Sequence, residues 1–113
     1  MHELGLTKNL IDLVGKEAEK QGFQKTLEIR LILGEYSDVV PEYIVDLFPL
    51  ASKGTVAEGA KLLFEHVPGR FLCRDCGYEG PVDRKKACCP DCGGTALKMT
   101  AGREFFVDSL KVE

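Results

Sequence analysis

The sequence predicts an α+β fold, with two helices packed on a small three-stranded sheet and a separate cysteine-bearing segment inserted into it. Three observations carry that reading. Apolar residues recur at helical spacing near the start of the chain, they alternate with polar residues in three later stretches, and two Cys-x-x-Cys pairs stand between the last two of those stretches.

The first helix is expected over about Leu6 to Gln21. Leu6, Leu10, Leu13, Val14 and Ala18 form one apolar stripe, Lys8, Asp12, Lys16, Glu19 and Lys20 the other side, and Gly22 stops the helix. Thr26 to Leu33 alternates Leu27, Ile29, Leu31 and Leu33 with Glu28 and Arg30, the period of a half-buried strand, and Gly34 ends it. Ile32 falls on the polar parity and is expected at the surface. Pro41 opens a second helix whose apolar side is Tyr43, Ile44, Leu47 and Phe48. Pro49 removes a hydrogen bond and clashes with the carbonyl of Val45, so a kink or an early end is expected there.

Gly54 to Gly59 is a connector, Lys61 to Val67 a second strand with Leu62 and Phe64 on one face, and Pro68-Gly69 an exit into the insertion. A last strand is expected over Glu104 to Val112. Phe105 and Val107 share one parity and Leu110 and Val112 the other, so a bulge near Asp108-Ser109 would turn all four to the core. The strands before and after the insertion are expected to pair antiparallel. Two domains follow, residues 1–69 with 103–113, and the inserted residues 70–102.

Within the insertion, Cys73-Arg74-Asp75-Cys76 and Cys89-Pro90-Asp91-Cys92 have the spacing of a zinc ribbon. Cysteines three apart in a tight turn both point inward, and four thiolates at tetrahedral corners are what a structural Zn2+ takes. Gly77 and Gly93 follow each second cysteine, where the turn often needs positive φ. Rubredoxin-like iron is the rival occupant. Cys88 also stands at an allowed spacing from Cys92. Cys89 is the preferred ligand, because it restores the symmetric pair and carries Pro90, which leaves Cys88 as a spare thiol.

With 113 residues, 44% hydrophobic and 29% charged, the chain has the composition of a soluble globular protein with a real core. No apolar run exceeds three residues, too short for a membrane span or a signal-peptide core, so the cytoplasm is the expected location and no membrane partner is expected. A reducing compartment favours metal over disulfide for the cysteines. From Arg70 to Arg103 seven Lys/Arg face four acids, a local +3 against −6 for the remainder of a chain whose net charge is −3. Four thiolates on Zn2+ bring the ribbon to about +1. Arg84-Lys85-Lys86 therefore reads as a solvated loop, and no nucleic-acid partner is expected.

Met1-His2-Glu3 offers a second metal site. A free terminal amine, the amide nitrogen of His2 and its imidazole form fused five- and six-membered chelate rings, and the Glu3 amide nitrogen can close a square of four nitrogens. Planar nitrogen donors suit Ni(II) or Cu(II), not tetrahedral zinc. An untethered terminal histidine is the bland alternative. His66 reads as a strand surface residue. No nucleophile with an adjacent base, phosphate-cradling loop or paired carboxylate stands out, so a non-enzyme is expected.

Met1-His2-Glu3-Leu4, Leu33-Gly34-Glu35, Gly54-Thr55-Val56-Ala57-Glu58-Gly59-Ala60, Val67-Pro68-Gly69, the two cysteine pairs with Gly77, Gly93 and Gly94, and the closing Leu110-Lys111-Val112-Glu113 together resemble the hydrogenase nickel-incorporation family, HypA/HybF, over the whole chain. The resemblance implies a nickel metallochaperone that delivers Ni(II) to the large-subunit precursor of NiFe-hydrogenase in concert with a nickel-handling GTPase. It implies transient Ni2+ at Met1, His2 and Glu3, structural Zn2+ at Cys73, Cys76, Cys89 and Cys92, and a monomer or weak homodimer. Residues 1–69 and 103–113 would then be a nickel-binding domain and 70–102 a zinc-ribbon domain. The sequence departs from the family pattern at Pro49 and Cys88. The competing reading is a zinc-ribbon interaction module, on nucleic acid or a protein assembly, with His2 incidental.

Overall fold

The computed structural model describes residues 2–113, and they divide into two compact units. The first takes the chain up to Ile32, Asp38–Glu65 and Phe106–Glu113; the second takes Leu33–Ser37 and His66–Phe105.

In the first unit, helix α1 spans Glu3–Gln21 and helix α2 spans Pro41–Ala51, and the two pack against each other. Strands β1 (Thr26–Gly34), β2 (Lys61–Val67) and β6 (Phe105–Val112) form a sheet in the order β2-β1-β6. Its core is built on Val14, Ile29, Leu31 and Ile44, each at most 1% exposed, with Leu10, Ile11 and Phe48 beside them. The helical stripe of α1 is as expected at Leu10 and Val14, but Leu13 is 45% exposed, and Thr7 and Ile11 are buried in its place. Gly22 ends α1 in the left-handed region and donates its N–H to the Ala18 carbonyl at 2.8 Å.

Five expectations are corrected here. Helix α1 begins at Glu3, not Leu6, because Glu3 brings an acid to the positive end of the helix and is anchored by its neighbours. Ile32 is buried, and with Leu31 and Leu33 it hides residues of both parities in β1. That strand lies between the other two, so β2 and β6 each pair with β1 and not with one another. Pro49 does not stop α2, since the helix closes two residues later and Ser52 N–H still reaches the Phe48 carbonyl at 2.9 Å. Tyr43 is 53% exposed, leaving Ile44 and Phe48 as the buried side of α2.

The connector is a hydrogen-bonded turn. Thr55 donates its hydroxyl to the Ser52 carbonyl (2.7 Å) and accepts Ala57 N–H (3.2 Å), while the Glu58 carboxylate accepts Gly54 N–H (3.1 Å). In β6 the half-buried positions are Phe105, Val107 and Leu110, changing parity across Asp108-Ser109. Val112, expected inside, is 40% exposed.

The second unit carries strands absent from the sequence reading. β3 (Arg70–Cys73) pairs antiparallel with β4 (Glu79–Gly80) and with β5 (Leu97–Ala101), in the order β4-β3-β5. At its root three glycines meet. Gly34 N–H reaches the Glu104 carbonyl and Tyr36 N–H the Gly102 carbonyl, both at 2.7 Å, while the Glu35 carboxylate accepts Gly69 N–H at 2.7 Å. A Cβ on Gly34 would collide with the Gly102 carbonyl, and one on Gly69 with the Tyr36 ring. Tyr36 also stands edge-on to Phe71, ring centroids 5.6 Å apart, and the Arg84 guanidinium lies 4.5 Å above its face. Arg84 is therefore held on an aromatic ring, whereas Lys85 and Lys86 stay in solvent as expected.

Opposite outcomes are expected at two glycines. Gly34→Ala should destabilise the protein by about 1–3 kcal/mol through overpacking against backbone that cannot yield. Gly15→Ala, in mid-helix with open space around its Cβ, should stabilise by about 0.5–1 kcal/mol. Urea melts of the two variants check both signs.

Candidate metal centre

Two turns of near-identical construction build the cysteine site. In each, the first cysteine donates its N–H five residues on, Cys73 to the Tyr78 carbonyl and Cys89 to the Gly94 carbonyl, both at 2.8 Å. In each, its own carbonyl accepts the N–H of the glycine four residues on, Gly77 and Gly93, both at 2.9 Å. Those glycines sit at φ +81° and +74°, where a Cβ would be strained. The repeat explains the spacing: once the turn is fixed, residues i and i+3 aim sulfur at the same point.

The Sγ atoms of Cys73, Cys76, Cys89 and Cys92 all lie within 4.8 Å of one another. Cys73 and Cys92 are 3.7 Å apart and Cys76 and Cys89 3.5 Å. Zn–S bonds of about 2.3 Å in a tetrahedron put the sulfurs about 3.8 Å apart, so the donor set fits a structural Zn2+. A disulfide needs about 2.05 Å, and all five cysteines are free. Cys88 stands outside the cluster and is half-buried. Asp91 N–H points at the Cys89 sulfur and Gly94 N–H at the Cys92 sulfur, each at 3.4 Å, so backbone dipoles disperse thiolate charge.

The free thiols are not equivalent. Burial opposes ionisation of Cys89, but the backbone N–H groups of Cys92 and Asp91 and the neighbouring sulfurs outweigh it and bring the thiol down to about 7. At Cys76 the Tyr78 backbone favours the thiolate, yet the sulfurs of Cys89, Cys92 and Cys73, together with burial, push it up to about 12.

Met1 lies outside the described residues. His2 is exposed, sits at the N-cap of α1 with φ −132° and ψ 38°, makes no side-chain cap, and gives its carbonyl to Leu6 N–H at 3.1 Å. Glu3 is only 6% exposed, and its carboxylate accepts Val40 N–H at 3.2 Å. Sequence reading missed that anchor, although an acid in a first helical turn was a signal for it. His66 is exposed on β2. Among the described residues no helix is long and apolar enough to cross a membrane.

Fold and site together define a small α+β protein with a four-cysteine zinc ribbon. Residues 1–112 match the family model described as "Hydrogenase/urease nickel incorporation, metallochaperone, hypA", and the chain belongs to this HypA family. It is similar to hydrogenase maturation factor HypA of Dehalococcoides mccartyi strain CBDB1, 36% identical over 113 residues, covering 100% of this chain and 95% of that one. The factor of the same name from Geobacter sulfurreducens is 39% identical over 113 residues, with both chains fully covered. In fold it resembles the solution structure of the Ni metallochaperone HypA from Helicobacter pylori, with TM-score 0.71, 24% identity and coverage of 99% and 97% of the two chains. A second HypA solution structure gives a TM-score of 0.76 at 24% identity, covering 100% of this chain and 97% of that one.

Cys73→Ala or Cys92→Ala should release zinc and unfold the ribbon, since so small a segment cannot hold itself together without metal. Cys88→Ser should keep one zinc. Metal analysis of the three proteins decides it, and stoichiometric zinc in both alanine variants, or iron in the native protein, would sink the assignment.

Zinc affinity should also fall as pH falls. Below about 7 the Cys89 thiolate takes up its proton, and Cys76 must surrender one at any physiological pH. Each proton released on binding weakens the apparent affinity by about tenfold per unit of acidification. Chelator competition between pH 8 and 6 should show that slope; a flat profile would contradict it.

Proposed function

We propose that this protein is a nickel metallochaperone that binds Ni(II) at its amino terminus and delivers it to the large-subunit precursor of NiFe-hydrogenase, working with a nickel-handling GTPase. The proposed ligands are the α-amine of Met1, the amide nitrogen and imidazole of His2, and the amide nitrogen of Glu3. Cys73, Cys76, Cys89 and Cys92 hold the zinc. In this reading residues 1–69 and 103–113 handle nickel, residues 70–102 form the zinc domain, and the protein works in the cytoplasm as a monomer or weak homodimer without catalysing a reaction.

One observation carries the reading. Chelation by two successive amide nitrogens needs ψ of the residue between them near zero, and His2 has ψ 38°, whereas an extended residue would turn the nitrogens apart. The setting supports it further. The positive end of the helix favours an amide that has shed its proton. His2 is exposed, as a site that loads and releases cargo must be.

The two metals divide the labour by chemistry. Four thiolates enclose zinc and couple it to folding, while a terminal nitrogen chelate leaves its cargo open to a competing ligand. Family membership supports nickel as that cargo.

Calorimetric titration of Ni(II) into three untagged proteins tests the proposal. The native protein should bind with a yellow, planar-nickel absorption band, whereas one extended by a single residue before Met1, and His2→Ala, should each lose at least about tenfold in affinity. Zinc content and melting should not change. Undiminished affinity in the extended protein would mean that side chains alone hold the metal.

A further inference from the structure

Glu3 is a buried acid at the edge of an otherwise exposed terminus. Its residue exposure is 6%, while His2 before it and Leu4 after it are both exposed. Both ends of the residue are engaged. The carbonyl accepts the hydroxyl of Thr7, itself fully buried, at 2.6 Å, and the carboxylate Oε2 accepts Val40 N–H at 3.2 Å. Val40 is the residue immediately before α2, thirty-seven positions away in sequence. Two helix starts are thus tied to one another through one side chain.

We propose that the Glu3 side chain is a positioning group, not a metal ligand: by holding Val40 N–H it fixes the first turn of α1 and keeps His2 in the conformation that presents its nitrogens as a chelate. This rests on the amino-terminal nickel reading. Glu3 then has two separate roles, its amide nitrogen toward the metal and its carboxylate toward the fold. What the tether to Val40 itself requires is an acceptor oxygen. A glutamine can supply that oxygen, and an alanine cannot. A carboxylate ligating nickel would behave differently, because a neutral amide is a much weaker oxygen donor to a divalent cation and its loss would change the absorption spectrum.

Glu3→Gln and Glu3→Ala, with His2→Ala as the control, separate these roles. Hydrogen exchange of the Val40 amide in nickel-free protein reads the tether, and calorimetry with the absorption spectrum reads the metal. Glu3→Gln should keep Val40 protection, nickel affinity within about threefold and the band position. Glu3→Ala should lose most of the protection and about tenfold in affinity, with the band unmoved. The proposal is overturned if Glu3→Gln weakens nickel as much as Glu3→Ala and shifts the band, or if Glu3→Ala leaves Val40 exchange unchanged. If His2→Ala binds nickel normally, the amino-terminal reading fails by itself, while Val40 exchange still decides the tether.

Discussion

Four sulfurs gathered within 4.8 Å of one another make an electrostatic demand that the fold has to meet. As thiolates they repel, and as thiols they waste their donor chemistry; only a cation at the centre satisfies both the charge and the geometry. The second unit is arranged around that demand. Its strands are of two to five residues, too short to be stable as an isolated sheet, and the first cysteine turn, Cys73 to Tyr78, joins β3 to β4. Backbone N–H groups aimed at sulfur take up part of the charge that remains.

The amino terminus obeys the opposite logic. At the cysteine cluster the sulfurs come from two turns locked by glycine and by backbone hydrogen bonds, so metal binding there is coupled to the folding of the unit. At the amino terminus, where we propose the nickel donors, His2 stands exposed at a helix end and the acid next to it, Glu3, is buried. A chaperone of a tightly binding ion needs this difference, because thermodynamic affinity alone would trap the cargo.

What was legible in the sequence follows the range of the physics involved. The cysteine turns could be read because a tetrahedral ion imposes its spacing on a few consecutive residues. The helical stripe could be read at Leu10 and Val14 for the same local reason. Strand order was hidden, since Ile32 looked like a surface residue on parity grounds and only its burial beside Leu31 and Leu33 marks β1 as interior. The ribbon strands were hidden because they alternate poorly and owe their pairing to the turns. The start of α1 was misplaced by three residues because the acid at Glu3, a local signal, was passed over and its anchor lies thirty-seven residues away at Val40.

The meeting of Gly34, Gly69 and Gly102 sets how this fold can diversify. Three chain segments pass so closely there that each position has room for hydrogen alone, so no exchange of residue type at one is compensated by a smaller partner at another. The Asp83–Ala87 turn is another matter, an exposed loop closed by its own Asp83 carboxylate and carbonyl and held to its surroundings through Arg84. Variation in length and insertion of reporter peptides belong in that loop, whereas the glycine crossing admits no drift at all.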